Sequence, residues 1–112
     1  MGNGMTEGQI QDAVRLAIGR EPDLVLWRNN CGVATIGRSV IRYGVGNPGG
    51  SDLIGLYRGR FIAVEIKRPG KKPTAEQLLF ASLVRRKGGE YVVLTSVEDA
   101  AQWLAELRTR YL

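Results

Sequence analysis

Three residue types at a fixed spacing raise the first chemical question: Asp52, Glu65 and Lys67, arranged D-x12-E-x-K within GGSDLIGLYRGRFIAVEIKRPG, Gly49 to Gly70. Both acids interrupt apolar runs, and a buried carboxylate is costly unless it is paired or bound to a metal. If Arg58-Gly59 is the centre of a hairpin, Tyr57 faces Arg60, Ile54 faces Ala63 and Asp52 faces Glu65. A four-residue loop centred at the same place keeps this pairing, whereas an odd-length loop shifts it, and Arg-Gly is not a favoured two-residue turn. Directly opposed Cβ atoms lie about 4.5–5.5 Å apart, so like charges there repel and something cationic belongs between them.

Lys67 lies two residues beyond Glu65 and shares its face of the strand. It could neutralise one acid. Two converging carboxylates with no histidine or cysteine beside them form an all-oxygen site, better suited to Mg²⁺ or Mn²⁺ than to zinc. Such an ion acidifies a water and polarises a phosphoryl oxygen, while a lysine orients the water or holds developing charge. The basic run Arg68, Lys71 and Lys72 follows at once and could hold flanking phosphates. This chemistry is phosphodiester hydrolysis. The spacing alone occurs by chance in many chains, because acids and lysine are common; placement in apolar strands gives it weight.

The elements that must position these groups follow from local signals. Thr6-Glu7-Gly8-Gln9 is a capping box, and Ile10, Val14 and Ile18 then recur at helical spacing, which predicts a helix from about Glu7 to Ile18. Glu7 shares that apolar face and is expected to point toward the body of the protein as a third acid, or else only to complement the helix dipole. Leu24 to Trp27 reads as a strand with a polar Asn29-Asn30 exit. Val33 to Val45 reads as a short hairpin or an ordered loop. Gly44 to Gly50 contains a formal G-x-G-x-x-G, yet Pro48 and a strand follow where a phosphate-binding helix should begin, so a tight turn delivering the chain to Asp52 is expected. Asp52 to Tyr57 and Phe61 to Lys67 are strands. Thr74-Ala-Glu-Gln77 caps a helix ending at Gly88-Gly89, Tyr91 to Thr95 is a strand, and Ser96 opens a last helix through Leu107. This order predicts a single mixed α/β domain over residues 1–112.

Composition narrows the chemistry further. The chain has 112 residues, 44% hydrophobic and 24% charged, with a net charge of +5. That balance fits a polyanionic partner and equally a solvated basic surface. With no histidine in the sequence, imidazole-based hydrolases and nucleases are excluded, so acid–base work falls to carboxylates, lysine or metal-bound water. Its one cysteine, Cys31, cannot form an internal disulfide and is expected to fill the core. No run approaches the length that spans a bilayer and no signal-peptide layout is present, so no membrane partner and a cytoplasmic location are expected. Met1-Gly-Asn-Gly-Met-Thr6 does satisfy the N-myristoylation pattern, although Thr6 already has a capping role.

Taken together, Gly50-Ser51-Asp52-Leu53-Ile54-Gly55, Val64-Glu65-Ile66-Lys67-Arg68-Pro69-Gly70, Thr74-Ala-Glu-Gln77 and Lys87 to Ser96 resemble the VRR-Nuc family of the PD-(D/E)XK nuclease superfamily. Glu7 and Arg28-Asn29-Asn30 extend the likeness more loosely, and Ser51 stands where the superfamily name has proline. The resemblance implies a restriction-endonuclease-like αβββαβ core with a mixed β-sheet flanked by helices. It implies Asp52, Glu65 and the Ile66 carbonyl as ligands of Mg²⁺ or Mn²⁺, Lys67 as catalytic lysine, Gln77 as a supporting residue and Glu7 as an aid to metal or water binding. It further implies a homodimeric, structure-selective DNA endonuclease acting at four-way (Holliday) junctions in DNA repair. A flap or single-strand nuclease with the same site and a non-catalytic DNA-binding module remain alternatives. Val33 to Tyr43, or the last helix with Trp103, are the candidate dimer interfaces, with core packing the favoured role for Trp103.

Overall fold

The structure, a computed structural model, describes residues 4–112, so the first three positions of the myristoylation pattern lie outside the described residues. Helix α1 (Glu7–Ile18) opens on the expected capping box, Thr6 Oγ1 accepting from Gln9 N at 3.1 Å and Gln9 Oε1 from Thr6 N at 2.9 Å. It buries Ile10, Val14 and Ile18, one stripe at four-residue intervals. Strand β1 (Leu24–Arg28) leads into a hairpin of β2 (Gly32–Ile36) and β3 (Ser39–Tyr43), which resolves the segment from Val33 to Val45. Strands β4 (Leu53–Tyr57) and β5 (Arg60–Ile66), helix α2 (Ala75–Arg86), strand β6 (Glu90–Leu94) and helix α3 (Val97–Arg110) complete the chain.

The main sheet has the order β1-β4-β5-β6, antiparallel except for the parallel pair β5–β6, which α2 connects. The β2–β3 hairpin forms a separate two-stranded sheet. Removing that insertion and α3 leaves the αβββαβ core. Helices α1 and α3 cover one face, where Val14, Trp103 and Leu107 meet Leu53, Ile62, Val64 and Ile66. Helix α2 covers the other with Phe80, Ala81 and Val84 against Ala63 and Tyr91. Strand β5 is therefore buried on both faces, and alternation between apolar and polar positions is lost along it. Glu65 lies on the α2 side of that strand.

Two details differ from expectation. Cys31 is exposed, because the chain has already left the main sheet at Arg28 and Cys31 sits at the base of the hairpin. Glu7 is exposed too, since burial along α1 begins only at Ile10. Trp103, by contrast, is 4% exposed and belongs to the core, the role favoured for it over the interface.

The β4–β5 turn explains how an unfavoured dipeptide holds the register. Arg58 and Gly59 both take positive φ, 48° and 83°, the twist a two-residue hairpin needs. Arg58 is held there by Asp23, whose carbonyl accepts from its backbone N at 3.1 Å and whose carboxylate pairs with its guanidinium at 3.0 Å. Leu53 consequently pairs with Val64 and Tyr57 with Arg60. Asp52 and Glu65, one step beyond the ladder, face each other.

Candidate active site

Asp52 enters β4 from the glycine-rich turn, in which Gly44, Gly46 and Gly49 all have positive φ. Gly50 is equally constrained by space: a Cβ there would meet the Val45 carbonyl oxygen at 2.0 Å. The turn thus passes close against its neighbours before releasing the chain at Ser51, whose Oγ donates to the Leu53 carbonyl at 2.9 Å. Asp52 Oδ2 accepts from the Ile66 backbone N at 2.7 Å, tying the start of β4 to the end of β5.

Glu65 is 3% exposed, and its two oxygens have different surroundings. Oε2 accepts from Gln77 Nε2 at 3.0 Å and stands 3.8 Å from Lys67 Nζ. Oε1 is buried with no hydrogen-bond partner among the described residues. Gln77 is aimed by its own helix cap. Its backbone N donates to Thr74 Oγ1 and its Oε1 accepts from Thr74 N, so only the amide NH₂ is left to reach Glu65. A capping box legible in the sequence therefore also orients a side chain in the site.

Burial, followed by the charge of Asp52 and the hydrogen bond that a protonated Glu65 would donate to it, pushes the Glu65 carboxyl up to about 8; Lys67 pulls it down, and Glu7 adds the smallest upward contribution. Two carboxylates facing each other in a dry site cannot both be ionised cheaply without a cation. A bare, buried carboxylate oxygen beside a second carboxylate is a donor set that a hard divalent ion satisfies. Glu7 acts on this pair through its field. Among the described residues, no three His, Cys, Asp or Glu side chains are gathered closely enough to enclose an ion without further donors. Arg68, Lys71 and Lys72 are exposed in the β5–α2 loop, where the Lys71 backbone N donates to the Arg68 carbonyl at 3.0 Å, and none joins an acid among the described residues.

No family model and no curated protein matches the sequence. A solved structure described as a VRR_NUC domain superposes with a TM-score of 0.62 at 23% identity, covering 88% of this chain and 94% of that one. The chain has the VRR_NUC fold. Within this fold the acid pair lies at the same end of the sheet as the β5–α2 loop and the capped start of α2.

Asn29, to which the sequence assigned no role, joins three segments in this VRR_NUC fold. Its Nδ2 donates to the Val45 and Ser51 carbonyls, each at 2.9 Å, and its Oδ1 accepts from Val45 N at 2.9 Å. Its backbone N donates to the Asp52 carbonyl at 2.8 Å. One amide therefore fixes β1, the hairpin exit and the approach to Asp52. The signals in the sequence were an Asn-Asn pair leaving a strand and the loose likeness carried by Arg28-Asn29-Asn30. Replacement by alanine strands several backbone groups and is expected to lower stability by about 2–4 kcal/mol, measured by urea denaturation; a change under about 0.5 kcal/mol would remove Asn29 from this role.

Proposed function

We propose that this domain is a VRR-Nuc-type, metal-dependent DNA endonuclease that cuts phosphodiester bonds at four-way junctions as a homodimer. The observation that carries the reading is the Asp52–Glu65 pair, opposed across β4–β5, with Glu65 Oε1 buried and unpartnered. Asp52, Glu65 and the Ile66 carbonyl would hold Mg²⁺ or Mn²⁺, with Glu7 reaching it through water, and the ion would supply an acidified water and polarise the phosphoryl oxygen.

The chain's own residues do the rest. Lys67 keeps a positive charge beside Glu65, where it steadies the negative charge that grows on the phosphoryl oxygens. Gln77 prevents the Glu65 carboxylate from turning away. Arg68, Lys71 and Lys72 hold phosphates on either side of the cut. The β2–β3 hairpin exposes Val33, Ile36, Val40 and Ile41, apolar area that a twofold partner would cover, and a symmetric junction is naturally served by two such sites. Among the described residues no helix is long and apolar enough to cross a membrane, and we place the enzyme with its DNA in the cytoplasm.

The test compares four-way junctions, flaps and plain duplex in Mg²⁺ or Mn²⁺, with chelator as control. Junctions are expected to be cut at least about tenfold faster than duplex. Faster cutting of flaps would replace the junction assignment, and no cutting with either ion would refute the nuclease.

A further inference from the structure

Beside the carboxylate pair, α1, the end of β1 and the base of the β2–β3 hairpin enclose a cleft of about 450 Å³ that has Asp52 in its wall. Gln11, Arg28, Asn30 and Tyr43 are among its other polar walls, with Asn29 and Ser51. The cleft is a built feature, because the Asn29 side chain fixes the hairpin exit at Val45 and the approach at Ser51. Arg28 pairs with Leu53 in the sheet, so its backbone stands one residue from Asp52 while its side chain leaves on the α1 face, opposite to that of the two acids. It is exposed and makes no salt bridge among the described residues. Tyr43 lies against the bare backbone of Gly32, where a Cβ would come within 2.3 Å of the hydroxyl, and remains 49% exposed.

A free guanidinium, side-chain amides and a half-open aromatic ring around a space of this size match the parts of one nucleotide: an anion, hydrogen-bonding edges and a π-face. We propose that this cleft seats a single unpaired nucleotide adjoining the scissile phosphate, with Arg28 on its phosphate and Tyr43 against its base. The inference rests on the nuclease reading and specifies its substrate class as DNA with an unstacked nucleotide at the cut. A base inside a continuous duplex is stacked between neighbours and cannot enter. An unpaired nucleotide at a branch point can.

The experiment measures DNA binding by fluorescence anisotropy in the full chain carrying Glu65→Gln, which keeps the DNA uncut. Two substrates are used: a junction with one unpaired nucleotide at its centre, and a duplex of equal length. Arg28→Ala is expected to weaken junction binding about tenfold and to lower the slope of log affinity against log salt by about 0.7–0.9, one phosphate contact. Tyr43→Ala is expected to weaken it about tenfold, with Tyr43→Phe restoring it because stacking needs only the ring. Duplex binding should change less than about twofold. Equal losses on junction and duplex, or no loss on either, with thermal melting showing the variants folded, would overturn the assignment to an unpaired nucleotide. If the parent binds neither DNA, the nuclease reading itself falls.

Discussion

Glu65→Gln and Lys67→Ala are each expected to abolish most phosphodiester cleavage, by about 10²–10³-fold or more in kcat, while leaving the domain folded. The two variants fail for different reasons. Glutamine keeps the shape of Glu65 and can still accept from Gln77, but it removes one of the two charges on which a bound divalent ion would depend. Alanine at Lys67 keeps both acids and removes the cation 3.8 Å from Glu65 Oε2. Metal affinity, measured by calorimetry, should therefore collapse in Glu65→Gln and survive in Lys67→Ala. Gel-based cleavage on the preferred substrate checks the rates. Activity within about threefold of wild type in either variant would reject the assigned chemistry.

The second large effect is on stability, and its sign follows from the Glu65 carboxyl. Its folded value of about 8 lies above the ordinary 4.5, so the folded state keeps a proton between those values that the unfolded chain has released. Stability linked to this group is fully present below about 4.5 and is lost as pH rises through about 8. In chelator, Tm should fall by about 5 °C or more between pH 6 and pH 9, after subtraction of the same change in Glu65→Gln. On the proposed function, a divalent ion would bind the ionised pair and oppose this loss. At a hundredfold excess over Kd it contributes about 2.7 kcal/mol, so the Mg²⁺- or Mn²⁺-induced rise in Tm should be larger at pH 9 than at pH 6. Glu65→Gln should melt higher than the metal-free wild type at pH 9, because it has no buried carboxyl to ionise. A wild-type Tm that is flat in pH and indifferent to the ion would show that the pair is not strained.

Both effects have the same origin. A carboxylate placed on the doubly covered strand β5 is unfavourable for the metal-free fold and useful to the site, a conflict commonly found where stability yields to function.

The fold was legible wherever the signal was local. Capping boxes at Thr6 and Thr74 placed α1 and α2 because they depend on residues three apart. The β4–β5 register could be counted from Arg58-Gly59 since a two-residue turn leaves no slack, although its stabiliser, Asp23, lies far away in sequence. Cys31 was misplaced because one small apolar residue does not reveal whether its segment has left the sheet. Glu7 shares a face with Ile10 and Val14, yet its exposure depends on where the sheet beneath α1 stops.

By itself, the sequence determined which residue types are available for catalysis, that imidazole is not among them, and that Asp52, Glu65 and Lys67 share one end of a hairpin. Local geometry of turns, caps and strand alternation is sufficient for that. The tertiary structure alone decided that Glu65 is sealed by α2 with one oxygen bare, that Gln77 fixes the other, and that Asn29 and Arg28 border a cleft reaching Asp52. Burial and pairing at these positions come from segments distant in the chain, and only their packing brings them together.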